Sequence, residues 1–327
     1  MSRALLIDTD PGIDDALALL LAFASPDCEV AALTTVAGNV PIEAATANAQ
    51  RLAALAAPGR PPRIARGAAG PLVGRLITAA DVHGEDGLGD IGRLREPDGR
   101  LRYPVADPPP LEMQDGAGLI LETAARLGPD LTVVALGPLT NLALALRRDP
   151  AGLARVARVV VMGGAVGVPG NVTAAAEFNI HVDPEAAAEV LGAGLPVELV
   201  PLDVTRRCCL TRAALARALG GRRDPVAAFL TDVTAHGFAY ADAGGGAGIV
   251  MHDPLAVAVA LDPTLVRLDA LRVDVETRGE HTRGLTLADR RPRAPGRGPA
   301  PNCRVALDVD AARFEALFLE RVCRASA

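Results

Sequence analysis

The chain has 327 residues, 50% of them hydrophobic and 22% charged, with a formal net charge of −6. That composition excludes a disordered chain and leaves ample core for one large domain, and the acidic balance speaks against a nucleic-acid partner, which needs a basic face. All 33 basic residues are Arg, so chemistry that needs a lysine, a Schiff base or a P-loop, is excluded as well.

In chain order, apolar runs at 4–7, 30–36, 131–136, 156–162 and 197–202 are continuous rather than alternating, the pattern of strands buried on both faces. Helical patterns separate them. Ile13, Ala16, Leu17, Leu20, Leu21 and Ala24 form one stripe, and further helices are predicted at 42–57, 116–127, 139–146 and 184–191. This alternation predicts an α/β fold with an open, mostly parallel sheet flanked by helices and a site at the C-terminal strand ends. The last third predicts helices at 211–219, 225–240 and 254–261, strands at 268–276 and 304–309, and a closing helix at 311–324. The Arg- and Pro-rich stretch 289–301 predicts a surface loop. No repeat or linker is present, so a single domain is expected over 1–327.

No stretch offers the ~20 apolar residues of a membrane span, so no membrane association is expected. Asp8, Asp10, Asp14 and Asp15 break the first apolar run, against a signal peptide. The 5 cysteines are an odd count without a CxxC pair, which predicts reduced thiols and a cytoplasmic location.

The densest chemistry lies in Asp8-Thr-Asp-Pro-Gly-Ile-Asp-Asp15. A buried strand ends in Asp8 and Asp10, Pro11-Gly12 turns the chain, and Asp14 and Asp15 open a helix. Two unit charges ~4 Å apart repel by ~4 kcal/mol at an effective dielectric of ~20. The helix N-terminus offsets only ~0.3–1 kcal/mol for each of Asp14 and Asp15. The remainder calls for a cation or bound donors, and oxygen ligands without His or Cys favour Ca²⁺ or Mg²⁺ over zinc. Singly, these residues read as a turn-former or helix caps. An Asp-x-Asp after the first strand is also found in haloacid-dehalogenase-like phosphatases, but the Pro-Gly-x-Asp-Asp continuation is not theirs.

Asp8-Thr-Asp-Pro-Gly-Ile-Asp-Asp-Ala16 resembles the N-terminal signature of the inosine–uridine-preferring nucleoside hydrolases. Thr35-Val-Ala-Gly-Asn39, His83-Gly-Glu-Asp-Gly-Leu-Gly89, Leu136-Gly-Pro-Leu-Thr-Asn141 and Met162-Gly-Gly-Ala165 resemble further motifs of that family in the same order. So do Asn171-Val-Thr-Ala-Ala-Ala-Glu-Phe-Asn179, His252-Asp-Pro254 and Thr282-Arg-Gly-Leu-Thr286. The resemblance runs from Leu5 to about Phe318 and implies a Rossmann-like nucleoside hydrolase fold.

It implies the hydrolysis of the N-glycosidic bond of ribonucleosides to ribose and free base, through an oxocarbenium-like sugar. A Ca²⁺ ion would be held by Asp10, Asp15, Asp253 and the backbone carbonyl of Leu136, and Asp10 would take a proton from the metal-bound water. Asp14, Asn39, Asn179 and Asp253 would hold the 2′- and 3′-hydroxyls, Asn171 and Glu177 the 5′-hydroxyl, and Met162 would line the ribose pocket. His252 would be the general acid toward the base. The ordinary histidine pKa of ~6.5 suits a proton transfer near neutrality. His83 and Tyr240 would face the base. The family also implies a homodimer or homotetramer acting on a small nucleoside in purine or pyrimidine salvage.

The chain has no Trp, whereas purine-specific relatives sandwich the base between tryptophans, so that subgroup is disfavoured. Arg207-Cys208-Cys209 and the 289–301 stretch have no role in this scheme. Two other readings are open: the same fold acting on a nonstandard riboside, such as nicotinamide riboside, or a catalytically silent calcium-binding relative. Retention of Asp10, Asn179, His252 and Asp253 together opposes the latter.

Overall fold

A computed structural model of the chain describes residues 3–57, 59–104, 108–291 and 298–323. Its centre is a sheet of eight strands: β1 (Arg3–Thr9), β2 (Cys28–Thr35), β3 (Arg63–Arg66), β4 (Leu131–Ala135), β5 (Arg158–Met162), β6 (Val197–Val200), β9 (Val266–Leu271) and β12 (Cys303–Val309). The spatial order is β3-β2-β1-β4-β5-β6-β12-β9. All neighbours are parallel except β12 and β9, which run antiparallel. Two short antiparallel pairs stand apart, β7 (Cys209–Leu210) with β8 (Ile249–Val250) and β10 (Val273–Val275) with β11 (Thr286–Ala288). This is the expected single-domain α/β architecture.

The continuous apolar runs are explained by a sheet covered on both faces. Side chains alternate across a strand, so Leu5 and Ile7 of β1 pack into one layer with the helices Ile13–Phe23 and His252–Leu261. Leu6 points the other way, into a layer built with the helices Gly116–Leu127 and Thr140–Arg148. With so few aromatics, the core is dominated by Leu, Val, Ile and Ala, with Phe229, Phe314 and Phe318 its largest fully buried side chains.

Strand order places the site. From β1 the chain steps to β2 and β3 on one side and to β4, β5 and β6 on the other, so β1 and β4 flank the switch point where ligands enter open α/β sheets. Asp8 is in register with Ala135, and the Leu136 amide donates to the Asp8 carbonyl at 2.8 Å. Thr9 therefore comes beside Leu136, and Asp10 emerges beside Gly137, whose Cβ would lie 2.5 Å from Asp10 Oδ1.

The helix His252–Leu261 runs through the interior, buried from Asp253 to Leu261. Its last carbonyls are held by two guanidinium groups: Arg158 donates to Val259 at 3.2 Å and to Ala260 at 3.3 Å, and Arg3 donates to Ala260 at 3.3 Å and to Leu261. Arg158 is in turn paired with the buried Glu198.

Several details differ from expectation. β3 is not foreseen, because Arg63-Ile-Ala-Arg66 is a four-residue edge strand with a charge at each end. The predicted strand at 268–276 breaks at Arg272 into β9 and β10, which belong to different sheets. The predicted helix at 254–261 begins two residues earlier, at His252. Residues 292–297 of the expected surface loop and Arg324 of the expected closing helix lie outside the described residues. Among the described residues no helix is long and apolar enough to cross a membrane.

Candidate active site

Asp10, Asp14, Asp15 and Asp253 are all buried. Asp10 follows β1, Asp14 and Asp15 lie in the first turn of the helix Ile13–Phe23, and Asp253 lies in the first turn of the helix His252–Leu261. Among the described residues, carboxylate oxygens of Asp14, Asp15 and Asp253 converge within 4.8 Å of one another. Burial and mutual repulsion push Asp10 and Asp253 well above the ordinary carboxylate value and Asp14 up to about 7. The Asp15 carboxylate beside Asp253 adds to that upward push on Asp253.

Asp15 is the anchored member. Its oxygens accept from Thr9 Oγ1 at 2.5 Å, the Gly12 amide at 2.9 Å and Asn39 Nδ2 at 3.0 Å. Asp10 stands outside the converging trio. Its Oδ2 accepts the Asn39 amide at 2.6 Å, and its Oδ1 is buried with no partner. Space for Asp10 is provided by glycines. A Cβ at Gly38 would lie 2.0 Å from Oδ2, and one at Gly137 would lie 2.5 Å from Oδ1. An orphaned buried carboxylate oxygen beside three converging acids, all oxygen donors, fits a hard divalent cation. The donor set contains no thiol or imidazole of the kind zinc favours.

The Leu136 carbonyl lies just past the end of β4, the strand beside β1. It accepts from Asn179 Nδ2 at 2.6 Å, which leaves one of its two lone pairs. Asn179 Nδ2 also donates to the Met162 carbonyl at 3.2 Å and lies 3.4 Å from Met162 Sδ.

These groups open into a cavity of about 520 Å³. Asp14, Asn39, His83, Leu136, Met162, Asn171, Glu177, Asn179, Tyr240, His252 and Asp253 all line it, so eleven of the thirteen residues singled out from the sequence meet in one place. Asp10 and Asp15 lie behind this lining. Glu177 caps the short helix Phe178–Val182, accepting from Asn179 N at 2.9 Å, Gly164 N at 3.0 Å and Ile180 N at 3.2 Å. Burial raises its pKa against those three donors. Asn171 Oδ1 is committed to the Phe178 amide at 3.0 Å. Tyr240 is 49% exposed and so belongs to the rim.

The histidines require one correction. Titration near neutrality is not what their setting gives: burial lowers both His83 and His252 to about 4, with Arg206 and His83 adding to the effect at His252. Both rings are neutral at pH ~7. His83 Nδ1 accepts the Ile13 amide at 3.0 Å, so its proton sits on Nε2. His252 Nδ1 lies 2.7 Å from Thr205 Oγ1.

Sequence reading passed over several residues and gave no role to two others, Asn141 and Thr286, that stand in its motifs. Thr205, the partner of His252, has no motif of its own. Thr78, Asp81, Val82 and Ile249 line the cavity but lie in segments without a distinctive pattern. Thr286 Oγ1 bonds to both the amide (2.8 Å) and the carbonyl (2.9 Å) of Ala165, tying the last motif to the Met162–Ala165 turn. Asn141 Nδ2 donates to Asp8 Oδ1 at 2.7 Å and to the Thr35 carbonyl at 2.9 Å, joining three strand ends beneath the acids.

Comparison with known proteins agrees with this geometry. The family model described as inosine-uridine preferring nucleoside hydrolase matches residues 5–316. The pyrimidine-specific ribonucleoside hydrolase RihA of Salmonella agona is 39% identical over 327 residues, covering 98% of this chain and 99% of that protein. Among solved structures, a plant nucleoside hydrolase (PpNRh1) superposes with a TM-score of 0.88 at 33% identity, covering 99% of each chain. The purine-preferring ribonucleoside hydrolase of Gardnerella vaginalis superposes with a TM-score of 0.85 at 33% identity, covering 98% of each chain.

Proposed function

This chain belongs to the inosine-uridine preferring nucleoside hydrolase family and is an N-glycosyl hydrolase of ribonucleosides, and from that premise we propose a calcium-dependent enzyme that prefers pyrimidine ribonucleosides. The observation that carries calcium dependence is the orphaned Asp10 Oδ1 beside the converging Asp14, Asp15 and Asp253. Asp10, Asp15, Asp253 and the Leu136 carbonyl would hold the ion. Carboxylates combined with a backbone carbonyl suit Ca²⁺, whereas Mg²⁺ tends to keep several of its waters. A bound Ca²⁺ neutralises the acids and acts as a Lewis acid toward water and sugar oxygens.

The chain's own residues account for the rest. Asp10 Oδ2 is pinned by the Asn39 amide, so Oδ1 is the atom that takes the proton of the attacking water. Asp14, Asn39, Asn179 and Asp253 line the inner cavity and receive the 2′- and 3′-hydroxyls. The contacts of these groups strengthen as the sugar gains positive charge. Glu177 and Asn171 receive the 5′-hydroxyl. Asn171 Oδ1 is already engaged, so Nδ2 is its remaining donor. Met162 backs the ribose against Asn179.

Thr205 Oγ1 lies 2.7 Å from His252 Nδ1; with the hydroxyl as donor in this scheme, the ring proton is on Nε2. At rest a neutral imidazole, His252 donates a hydrogen bond from Nε2–H to the departing base and, once a solvent proton has made it imidazolium, gives that Nε2 proton to the base and returns to the neutral ring, while His83 and Tyr240 flank the base. The pyrimidine preference rests on the 39% identity to a pyrimidine-specific relative and on a cavity with no tryptophan. The enzyme would work in the cytoplasm as a homodimer or homotetramer, which light scattering of the purified protein tests.

The deciding assay is base release from uridine, cytidine, inosine, adenosine and nicotinamide riboside, with calcium and after chelation. Uridine and cytidine should react fastest and lose activity on chelation. Faster release from inosine or adenosine overturns the pyrimidine preference, and undiminished turnover after chelation overturns the metal assignment. Selective turnover of nicotinamide riboside would identify the nonstandard-riboside enzyme.

A further inference from the structure

Between β5 and the helix Phe178–Val182 the chain runs through 163–177 without a helix or a strand. This loop brings Asn171 and Glu177 to the active-site cavity. Glu177 is fixed by the three amides it accepts from. Asn171 is exposed, and its own bonds are local: its amide donates to the Ala176 carbonyl at 3.1 Å, and its Oδ1 accepts from Phe178. Such bonds orient the side chain within its turn. Where the turn stands relative to the cavity depends on how the loop is tied to the rest of the molecule.

The ties approach Asn171 in steps. Thr286 holds Ala165, and Asp203 Oδ2 accepts the Val166 amide at 3.0 Å. Arg206 donates from Nη1 to the Pro169 carbonyl at 2.8 Å and from Nη2 to the Gly170 carbonyl at 2.7 Å. The two terminal nitrogens of one guanidinium thus grip consecutive carbonyls, and the second belongs to the residue before Asn171. Charge-assisted bonds from both prongs of a planar fork fix orientation as well as distance. Gly170 has no slack on its other side: a Cβ there would lie 2.2 Å from the Ala176 carbonyl oxygen and 2.4 Å from that of Thr173.

Arg206 is outside the cavity wall, so it acts through the backbone it holds. It follows directly on the short helix Leu202–Thr205, which also supplies Asp203 to the loop and Thr205 to His252. One helical turn therefore braces a residue at each end of the nucleoside, the 5′-hydroxyl and the base.

We propose that Arg206 is a positioning residue that sets selectivity for ribonucleosides with a free 5′-hydroxyl, by holding the Pro169–Gly170 backbone so that Asn171 Nδ2 meets that hydroxyl. This rests on the reading that Asn171 and Glu177 receive the 5′-hydroxyl. Misplacing a positioning group by ~1 Å costs up to ~10²-fold in rate; here one hydrogen bond is at stake, so about tenfold is expected.

The test is steady-state kinetics at saturating calcium with uridine and inosine, each beside its 5′-deoxy counterpart. Wild-type enzyme should prefer the 5′-hydroxylated substrate in kcat/KM. Arg206→Ala should lower kcat/KM for that substrate about tenfold and leave the 5′-deoxy substrate within about twofold. Arg206→Lys, which keeps the charge without the fork, should lose part of the preference. Adding Arg206→Ala to Asn171→Ala should cost no more than Asn171→Ala alone, because both remove the same contact. A wild type without the preference overturns the 5′-hydroxyl reading itself. A wild type with it and an Arg206→Ala variant that keeps it overturns the role of Arg206 alone. Equal losses on both substrates, or losses that add in the double variant, reduce Arg206 to a structural residue and overturn the proposal. An unchanged Arg206→Lys overturns the two-carbonyl grip. Arg206 is exposed, and the Lys variant keeps the test open if Arg206→Ala fails to fold.

Discussion

The Thr205 hydroxyl lies 2.7 Å from Nδ1 of His252, and this contact leaves Nε2 as the ring nitrogen free for a partner in the cavity that His252 lines. Thr205 sits at the end of the short helix after β6, while His252 opens the helix behind the acids. The two come together because the helix Leu202–Thr205 packs against the helix His252–Leu261 in one layer of the core.

His252→Ala should slow nucleosides with poor leaving groups, such as inosine, by ~10²-fold or more. The activated substrate p-nitrophenyl riboside, whose leaving group departs without a proton, should be nearly unaffected. Thr205→Val should show the same substrate dependence at smaller size, because it removes the tautomer control and keeps the ring. Parallel losses on both substrates, with a lowered Tm, would mean that His252 only supports Asp253.

Asn179→Ala and Asp14→Ala should lower kcat as well as kcat/KM, because hydroxyl contacts that tighten in the transition state are lost. Wild-type enzyme should for the same reason discriminate against 2′-deoxyribonucleosides. Equal turnover of uridine and 2′-deoxyuridine would contradict the placement of the hydroxyls.

Chelation should destabilise the protein, and more so at higher pH. Asp10, Asp14 and Asp253 have folded-state pKa values above the unfolded value of 3.8, with Asp14 at about 7. Between those limits the metal-free folded chain holds protons that the unfolded chain has released, so its stability falls as pH rises from about 4 through about 7. Calcium replaces those protons and should reverse the slope. Melting curves in EDTA and in calcium check this; a metal-free Tm that rises across that window would refute it.

Gly38→Ala should weaken metal affinity and activity, because its Cβ would stand 2.0 Å from Asp10 Oδ2. Crowding of this kind costs about 1–3 kcal/mol. Gly192→Ala is the control: no atom lies within 4 Å of its Cβ at the end of the helix Pro184–Gly192, so it should leave Tm and activity near wild type. Calcium titration by calorimetry separates the two.

Much of the site was legible because its chemistry is written in short strings. Asp10 to Asp15 lie on one turn, and Glu177 and Asn179 lie two residues apart, so local spacing already fixed their neighbourhood. The strands were legible for a different reason: a sheet covered on both faces leaves unbroken apolar runs such as Leu131–Ala135. What escaped depended on partners far apart in the chain. Thr205 meets His252 across 47 positions and Asn141 meets Asp8 across 133, and neither Thr nor Asn announces such a role. The histidine pKa values escaped because desolvation, their largest cause, is a property of packing.

The helix His252–Leu261 also has mechanical consequences. At 1.5 Å per residue its ten residues form a rod about 15 Å long, with His252 and Asp253 at one tip and the Arg3 and Arg158 clamp at the other. Rotation about the buried midsection would swing both tips together, so the position of His252 in the cavity wall is governed in part by two arginines a helix-length away. A carrier of Arg158→Ala would therefore look like a damaged active site while every residue around the substrate remained intact.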